Sequence, residues 1–153
     1  MRITATSGVA AMSLNGTSID HFLGKSRGKK KSKIETVRKN LGDATLLMLD
    51  ELSMLGCMKL IELDTTLQKL KKSEAPFGGL DIIVVGDFAQ LPPVKQTSLI
   101  EAMMSSTLLF TSPSETALES SALFSRFVKY ELQEFNRSKS CSLLSFLLRQ
   151  FRS

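Results

Sequence analysis

Residues 46–49 read Leu46-Leu47-Met48-Leu49, an unbroken apolar run that ends in two adjacent carboxylates, Asp50 and Glu51. Four apolar residues in succession suit a parallel strand covered on both faces. The carboxyl end of such a strand is where open α/β sheets gather ligand chemistry. A pair of acids there suits a magnesium ion shared with a nucleotide phosphate, because magnesium takes one or two carboxylates and completes its shell with phosphate oxygens and water. Asp50 is the candidate for the ion, directly or through water, and Glu51 is the candidate general base for the attacking water. Neighbours on an extended chain project to opposite sides, so the two acids can serve different tasks. A buried strand that ends in a solvated acidic turn would carry the same string.

The remaining bulk properties narrow the setting. With 153 residues and 42% hydrophobic content, the chain suffices for one domain with a core of its own. Its mean hydropathy is +0.04. No apolar stretch approaches the roughly 18 residues needed to cross a bilayer, and Met1–Thr6 lacks the apolar centre of a secretory signal. The expectation is a soluble intracellular protein with no membrane partner, in the nucleus or a mitochondrion if eukaryotic and in the cytoplasm if bacterial. Cys57 and Cys141 have no metal-ligand spacing and read as ordinary thiols.

The net charge of +5 is unevenly spread. Within a basic loop over 24–33, the stretch Lys25-Ser26-Arg27-Gly28-Lys29-Lys30-Lys31-Ser32-Lys33 carries six positive charges and no acid, which leaves the rest of the chain close to neutral. A solvated surface loop, a phosphate-contacting arm and a nuclear-import-like cluster all fit it.

Along the chain, Ile3–Thr6 reads as a strand entering a Ser7-Gly8 turn and a helix start at Val9–Met12. A helical turn is expected at Thr17–Phe22, and a helix over Ile34–Leu41 with Gly42 as its C-cap. The acid-ended strand spans 45–50, followed by a helix from Met54 to Leu70. Pro76-Phe77-Gly78-Gly79 is a turn, and Ile82–Val85 is a second apolar strand, which leads into Gly86-Asp87. The Ser/Thr-rich span 105–121 reads as loop, with a helix near Ala117–Phe124. Phe127–Leu132 alternates like a strand, and Leu143–Phe151 suits a last helix. Strands alternating with helices imply an α/β layered domain with a mainly parallel sheet.

The second acid-ended strand continues Gly86-Asp87-Phe88-Ala89-Gln90-Leu91-Pro92-Pro93-Val94. Together with Asp50-Glu51-Leu52-Ser53-Met54, a Walker B pattern, and the intervening Phe77-Gly78-Gly79, it resembles the superfamily one DNA helicases of the PIF (petite integration frequency) family. That family's motif II reads like DEISM and its motif III like GDFxQLPPV. Thr4–Ala11 is similar to motif Ia, and Leu132-Gln133-Glu134-Phe135-Asn136-Arg137 to motif IV, with Ser138 in place of the usual glutamine. In Gly16–Phe22, Asp20 stands where the family has histidine; His21 falls one step later and reads as a surface or capping residue.

The resemblance implies a RecA-like P-loop NTPase layered fold, with ATP and Mg as cofactors and single-stranded DNA as partner. By the same resemblance Asp50, Glu51, Gln90 and Arg137 bind the nucleotide. Asp50 holds magnesium, Glu51 activates water, Gln90 couples the γ-phosphate to DNA movement, and Arg137 stabilises phosphate charge. Thr6, Gly8, Lys29, Lys30 and Lys31 contact DNA. Two parts of the family pattern are not found. No G-x-x-x-x-G-K-[ST] phosphate loop is present, since Gly24-Lys25-Ser26 lacks the first glycine and follows motif Ia. The second RecA-like domain is missing as well.

The chain is therefore expected to be an incomplete first RecA-like domain (1–153), with an unpaired edge at Ile82–Val85 unless the sheet closes up. The parent function would be a five-prime-to-three-prime ATP-dependent DNA helicase, inactive as this piece alone. The alternative is a non-catalytic helicase remnant that binds nucleic acid weakly through its basic loop. A RecD-type helicase shares the Asp-Glu and Gly-Asp elements but fits Phe77-Gly78-Gly79 and the double proline less well. Oligomeric state is not legible.

Overall fold

The computed structural model describes residues 1–25, 34–107 and 114–132. Four short strands, β1 (Arg2–Ala5), β2 (Thr17–Ser18), β3 (Leu46–Asp50) and β4 (Asp81–Val84), form one sheet in the order β2-β1-β3-β4. All the pairings are parallel. Between them run α1 (Gly8–Ser13), α2 (Ile19–Phe22), α3 (Ile34–Leu41) and α4 (Cys57–Lys71), and after β4 come α5 (Leu99–Thr107) and α6 (Glu115–Phe124). No helix among the described residues is long and apolar enough to cross a membrane.

Register explains how the sheet is covered. Thr4, Leu49 and Val84 align across β1, β3 and β4, as do Ile3, Met48 and Ile83. The first set lies on a face packed by helices: Thr4, Leu47 and Leu49 are buried there with Val37, Leu41, Leu60, Leu63 and Leu67. The second set is only partly covered, and Ile83 is 48% exposed. The apolar run of β3 is thus fully buried on one face and half-buried on the other, less enclosed than its composition suggests. Asp50 shares parity with Met48 and so belongs to the half-open face.

Local chemistry sets the helix ends. Gly42 (φ 56°) ends α3, its N–H donating to the Arg38 carbonyl at 2.9 Å. The helix after β3 begins at Cys57, later than expected, because Leu52–Met54 form a 3-10 turn and Gly56 takes the N-cap position. Phe77-Gly78-Gly79 is a clip that docks on α4: the buried Asp64 carboxylate accepts the Phe77 N–H at 2.5 Å and the Gln68 amide at 3.0 Å. A β-carbon on Gly78 (φ 66°) would stand 2.6 Å from the Leu67 carbonyl oxygen. The clip fixes where β4 starts.

Two expectations change. Residues 105–107, expected as loop, are the end of α5, whereas the helix expected near Ala117–Phe124 is present as α6. The start of α5 has a capping box, Ser98 and Glu101 exchanging backbone and side-chain hydrogen bonds at 2.8 and 3.2 Å. Residues 127–132 join no strand: Val128, Tyr130 and Leu132 are 76%, 86% and 86% exposed, while Phe127 packs against Phe77 and Phe124 with ring centroids 5.8 and 5.5 Å apart. The segment docks through Phe127 on the Phe77 and Phe124 rings and does not lie along the open edge of β4, so its alternation serves no sheet face. Among the described residues β4 ends the sheet, so the Ile82–Val85 edge is unpaired, as expected. The expected helix over 143–151 and Cys141 lie outside the described residues.

Candidate active site

The carboxyl ends of β1, β3 and β4 meet at one edge of the sheet. Past β1, the Thr6 N–H donates to the Asp50 carbonyl at 3.3 Å, and the Thr6 hydroxyl donates to the Glu51 carbonyl at 3.0 Å. Past β4, the Val85 N–H donates to the Leu49 carbonyl at 2.8 Å, and the Leu52 N–H to the Val85 carbonyl at 3.0 Å. Between these two attachments the backbone reverses at Glu51, which adopts the left-handed conformation (φ 61°, ψ 51°). For a residue with a β-carbon this costs about 1–2 kcal/mol. It persists where surrounding bonds over-determine it, and such outliers cluster at functional sites. Here the Glu51 carbonyl also accepts the Met54 N–H at 3.1 Å.

The segment 86–98 is attached to this turn at both ends. Gly86 lies against Leu52 so closely that a β-carbon would stand 2.4 Å from the Leu52 nitrogen. At the far end the Cys57 N–H donates to the Thr97 carbonyl at 3.0 Å, and Gly56 bridges Ser98. In between, the Asp87 carboxylate accepts the Ala89 N–H at 3.0 Å and the Asp87 carbonyl accepts the Gln90 N–H at 3.0 Å, a local turn that presents Gln90.

An open cleft of ≈ 450 Å³ lies between the β3 turn and this segment, with Glu51 and Gln90 both in its wall beside Ser7, Leu91 and Pro92. Asp50 stands one residue earlier, half-buried at the end of β3. Among the described residues no group of three or more His, Cys, Asp or Glu could hold a metal by itself. Two adjacent carboxylates and one amide fit magnesium carried by a phosphate, since that ion draws most of its ligands from phosphate and water. The Ser53 hydroxyl, in the 3-10 turn after Glu51, is buried and has no hydrogen-bond partner among the described residues.

The structure thus brings Glu51, Gln90 and the end of motif Ia together. Both Thr6 donors are committed to the β3 turn, which leaves its N–H and O–H no proton to offer a phosphate. Gly8 opens α1 with nothing within 4 Å of where its β-carbon would be. His21 is exposed at the end of α2, and its carbonyl accepts the Asn40 amide at 3.0 Å, consistent with a surface position. Lys25 of the false phosphate loop pairs with Glu62 of α4 at 2.5 Å. Lys29, Lys30, Lys31 and Arg137 lie outside the described residues. The left-handed turn at Glu51 and the two attachments of 86–98 were not read from the sequence; Gly56 and Gly86, which flank these contacts, were their only local signal.

Residues 1–144 match the sequence profile of the PIF1-like helicases. The chain is 38% identical over 102 residues to ATP-dependent DNA helicase PIF1 of Saccharomyces cerevisiae, covering 61% of this chain and 12% of that relative. It is 33% identical over 105 residues to ATP-dependent DNA helicase Pif1 of Bdellovibrio bacteriovorus, covering 63% and 24%. It therefore spans less than a quarter of either relative's length. Among solved structures it resembles Pif1 helicase from Bacteroides in complex with ADP-AlF3 and single-stranded DNA, with a TM-score of 0.54 and 31% identity over 62% of this chain and 24% of that one. Pif1 helicase from Candida albicans gives a TM-score of 0.52 and 29% identity over 65% of this chain and 26% of that one.

Proposed function

Since the chain belongs to the PIF1-like helicase family, we propose that it is the central part of the first RecA-like domain of an ATP-dependent DNA helicase moving five-prime to three-prime on single-stranded DNA. The observation that carries this reading is the shared cleft of Glu51 and Gln90 at the carboxyl edge of a parallel sheet, directly after Asp50. Asp50 would hold magnesium, alone or through a water. When bound, the magnesium nucleotide supplies the phosphoryl group and the positive charge that steadies its oxygens. Glu51 accepts the proton of the attacking water, and Gln90 orients that water through its amide. Arg137 stabilises phosphate charge from the motif IV position.

Single-stranded DNA runs past Gly8 and the segment that contains Thr6, with Lys29, Lys30 and Lys31 adding contacts to phosphate that do not read sequence. The 153 residues alone contain no phosphate-loop sequence, which supports a second reading for the isolated chain: it turns over no ATP and binds nucleic acid weakly through its basic loop.

Comparing two proteins tests both statements: the 153-residue chain, and the same chain joined to the phosphate loop and second domain of a relative. The expected result is magnesium-dependent ATP hydrolysis stimulated by single-stranded DNA in the joined protein only, with salt-dependent DNA binding in both. Turnover by the short chain would refute the second reading. Failure of the joined protein to hydrolyse ATP, when the relative itself does so, would refute the first.

A further inference from the structure

We propose that Thr6 is a positioning residue, whose hydroxyl holds the left-handed backbone of Glu51 and thereby aims that carboxylate at the cleft facing Gln90. Two observations carry this. Thr6 spends both of its donors on consecutive carbonyls of the β3 exit, Asp50 at 3.3 Å and Glu51 at 3.0 Å. Glu51 itself sits at φ 61°, a conformation uncommon and costly for a residue with a β-carbon, so the bonds around it bear on whether it is kept.

Alternative holders of the turn account for less. The Met54 N–H reaches the Glu51 carbonyl at 3.1 Å, but from within the same turn, so it would follow the turn if it moved. The Leu52 attachment to Val85 fixes the residue after Glu51. Among the bonds the structure describes, only Thr6, just past β1, reaches the Glu51 carbonyl from outside the turn. Because Ser7 and Gly8 follow at once, the residue that sets the base lies beside the segment assigned to DNA, and a shift there would be felt at Glu51. This assignment rests on the reading of Glu51 as general base for its catalytic meaning, though its structural content does not.

The test is nuclear magnetic resonance of the labelled full chain. In the wild-type protein the Glu51 α- and β-carbon shifts are expected to be those of a left-handed residue, and the Glu51 carbonyl carbon should show a hydrogen–deuterium isotope shift from the Thr6 hydroxyl. Thr6→Val should abolish the left-handed signature, while the amides of the β3–β4 ladder keep their shifts; Thr6→Ser should restore it. A left-handed Glu51 in folded Thr6→Val would overturn the proposal. So would absence of the isotope shift in wild type, a measurement that decides the matter even if Thr6→Val does not fold. In the joined protein, Thr6→Val should lower kcat by up to about 100-fold with KM retained, the size expected when a reacting group is displaced by about 1 Å. Glu51→Gln kinetics judge the base assignment separately, because the resonance signature does not depend on turnover.

Discussion

Gly86 and Leu52 are in backbone contact: a β-carbon built on Gly86 would stand 2.4 Å from the Leu52 nitrogen and 2.6 Å from its β-carbon. The exits of β4 and β3 therefore close on each other at the position where the chain leaves its two acids, and only a hydrogen fits between them. Gly86→Ala is expected to push Val85 from Leu52 and destabilise the fold by about 1–3 kcal/mol, the usual cost of overpacking. Denaturant unfolding measures it; an unchanged midpoint would show that the two exits can part freely.

The clip before β4 depends on one buried acid. Asp64→Ala removes the acceptor of the Phe77 N–H and leaves that group buried without a partner, at a cost of about 1–3 kcal/mol. Asp64→Asn keeps an acceptor oxygen and should cost less. Thermal unfolding of the two variants checks the order.

The capping box of α5 makes a pH-dependent contribution. Hydrogen bonds from the Ser98 backbone and side chain hold the Glu101 carboxyl below its ordinary value of 4.5. A carboxyl lowered in the folded state adds stability above its unfolded value, and loses it as pH falls through the folded value. The contribution is present at neutral pH and disappears in acid below 4.5. Unfolding measured from pH 7 downward should therefore show a smaller acid loss in Glu101→Gln than in wild type.

The open edge at β4 has a consequence in solution. Among the described residues no strand pairs with the outer side of Asp81–Val84, which carries the 48%-exposed Ile83 and has no proline or lysine within it. Ile83→Lys is expected to reduce concentration-dependent association in sedimentation velocity while changing stability little, since the side chain is half in water already.

Much of this was legible in the residues, for physical reasons. The run Leu46–Leu49 marks a strand and its terminal acids mark that strand's carboxyl end, so β3 and the position of Asp50 and Glu51 follow from composition and order, although one face of β3 is only half-buried. Gln90 was singled out by the resemblance of Gly86–Val94 to motif III, while the glycine and two prolines around it marked only a stiff turn. The backbone sign at Glu51 was not, because glutamate has no local preference for the left-handed region and the turn is held from β1, 45 residues away. The strand expected at 127–132 failed for a related reason: its alternation is a local property, while the segment's place is set by Phe127 docking on Phe77 and Phe124, away from the β4 edge. The capping box at Ser98 and Glu101 was legible in the Ser-x-x-Glu spacing before an apolar run.

In the proposed reaction Glu51 removes the proton of the water that attacks ATP. The most direct test of this role is kcat for ATP in the joined protein, wild type against Glu51→Gln, with nucleotide affinity measured alongside. The expected result is a fall in kcat of about 10²–10⁴-fold with affinity kept. Turnover near the wild-type rate with the same affinity would contradict it.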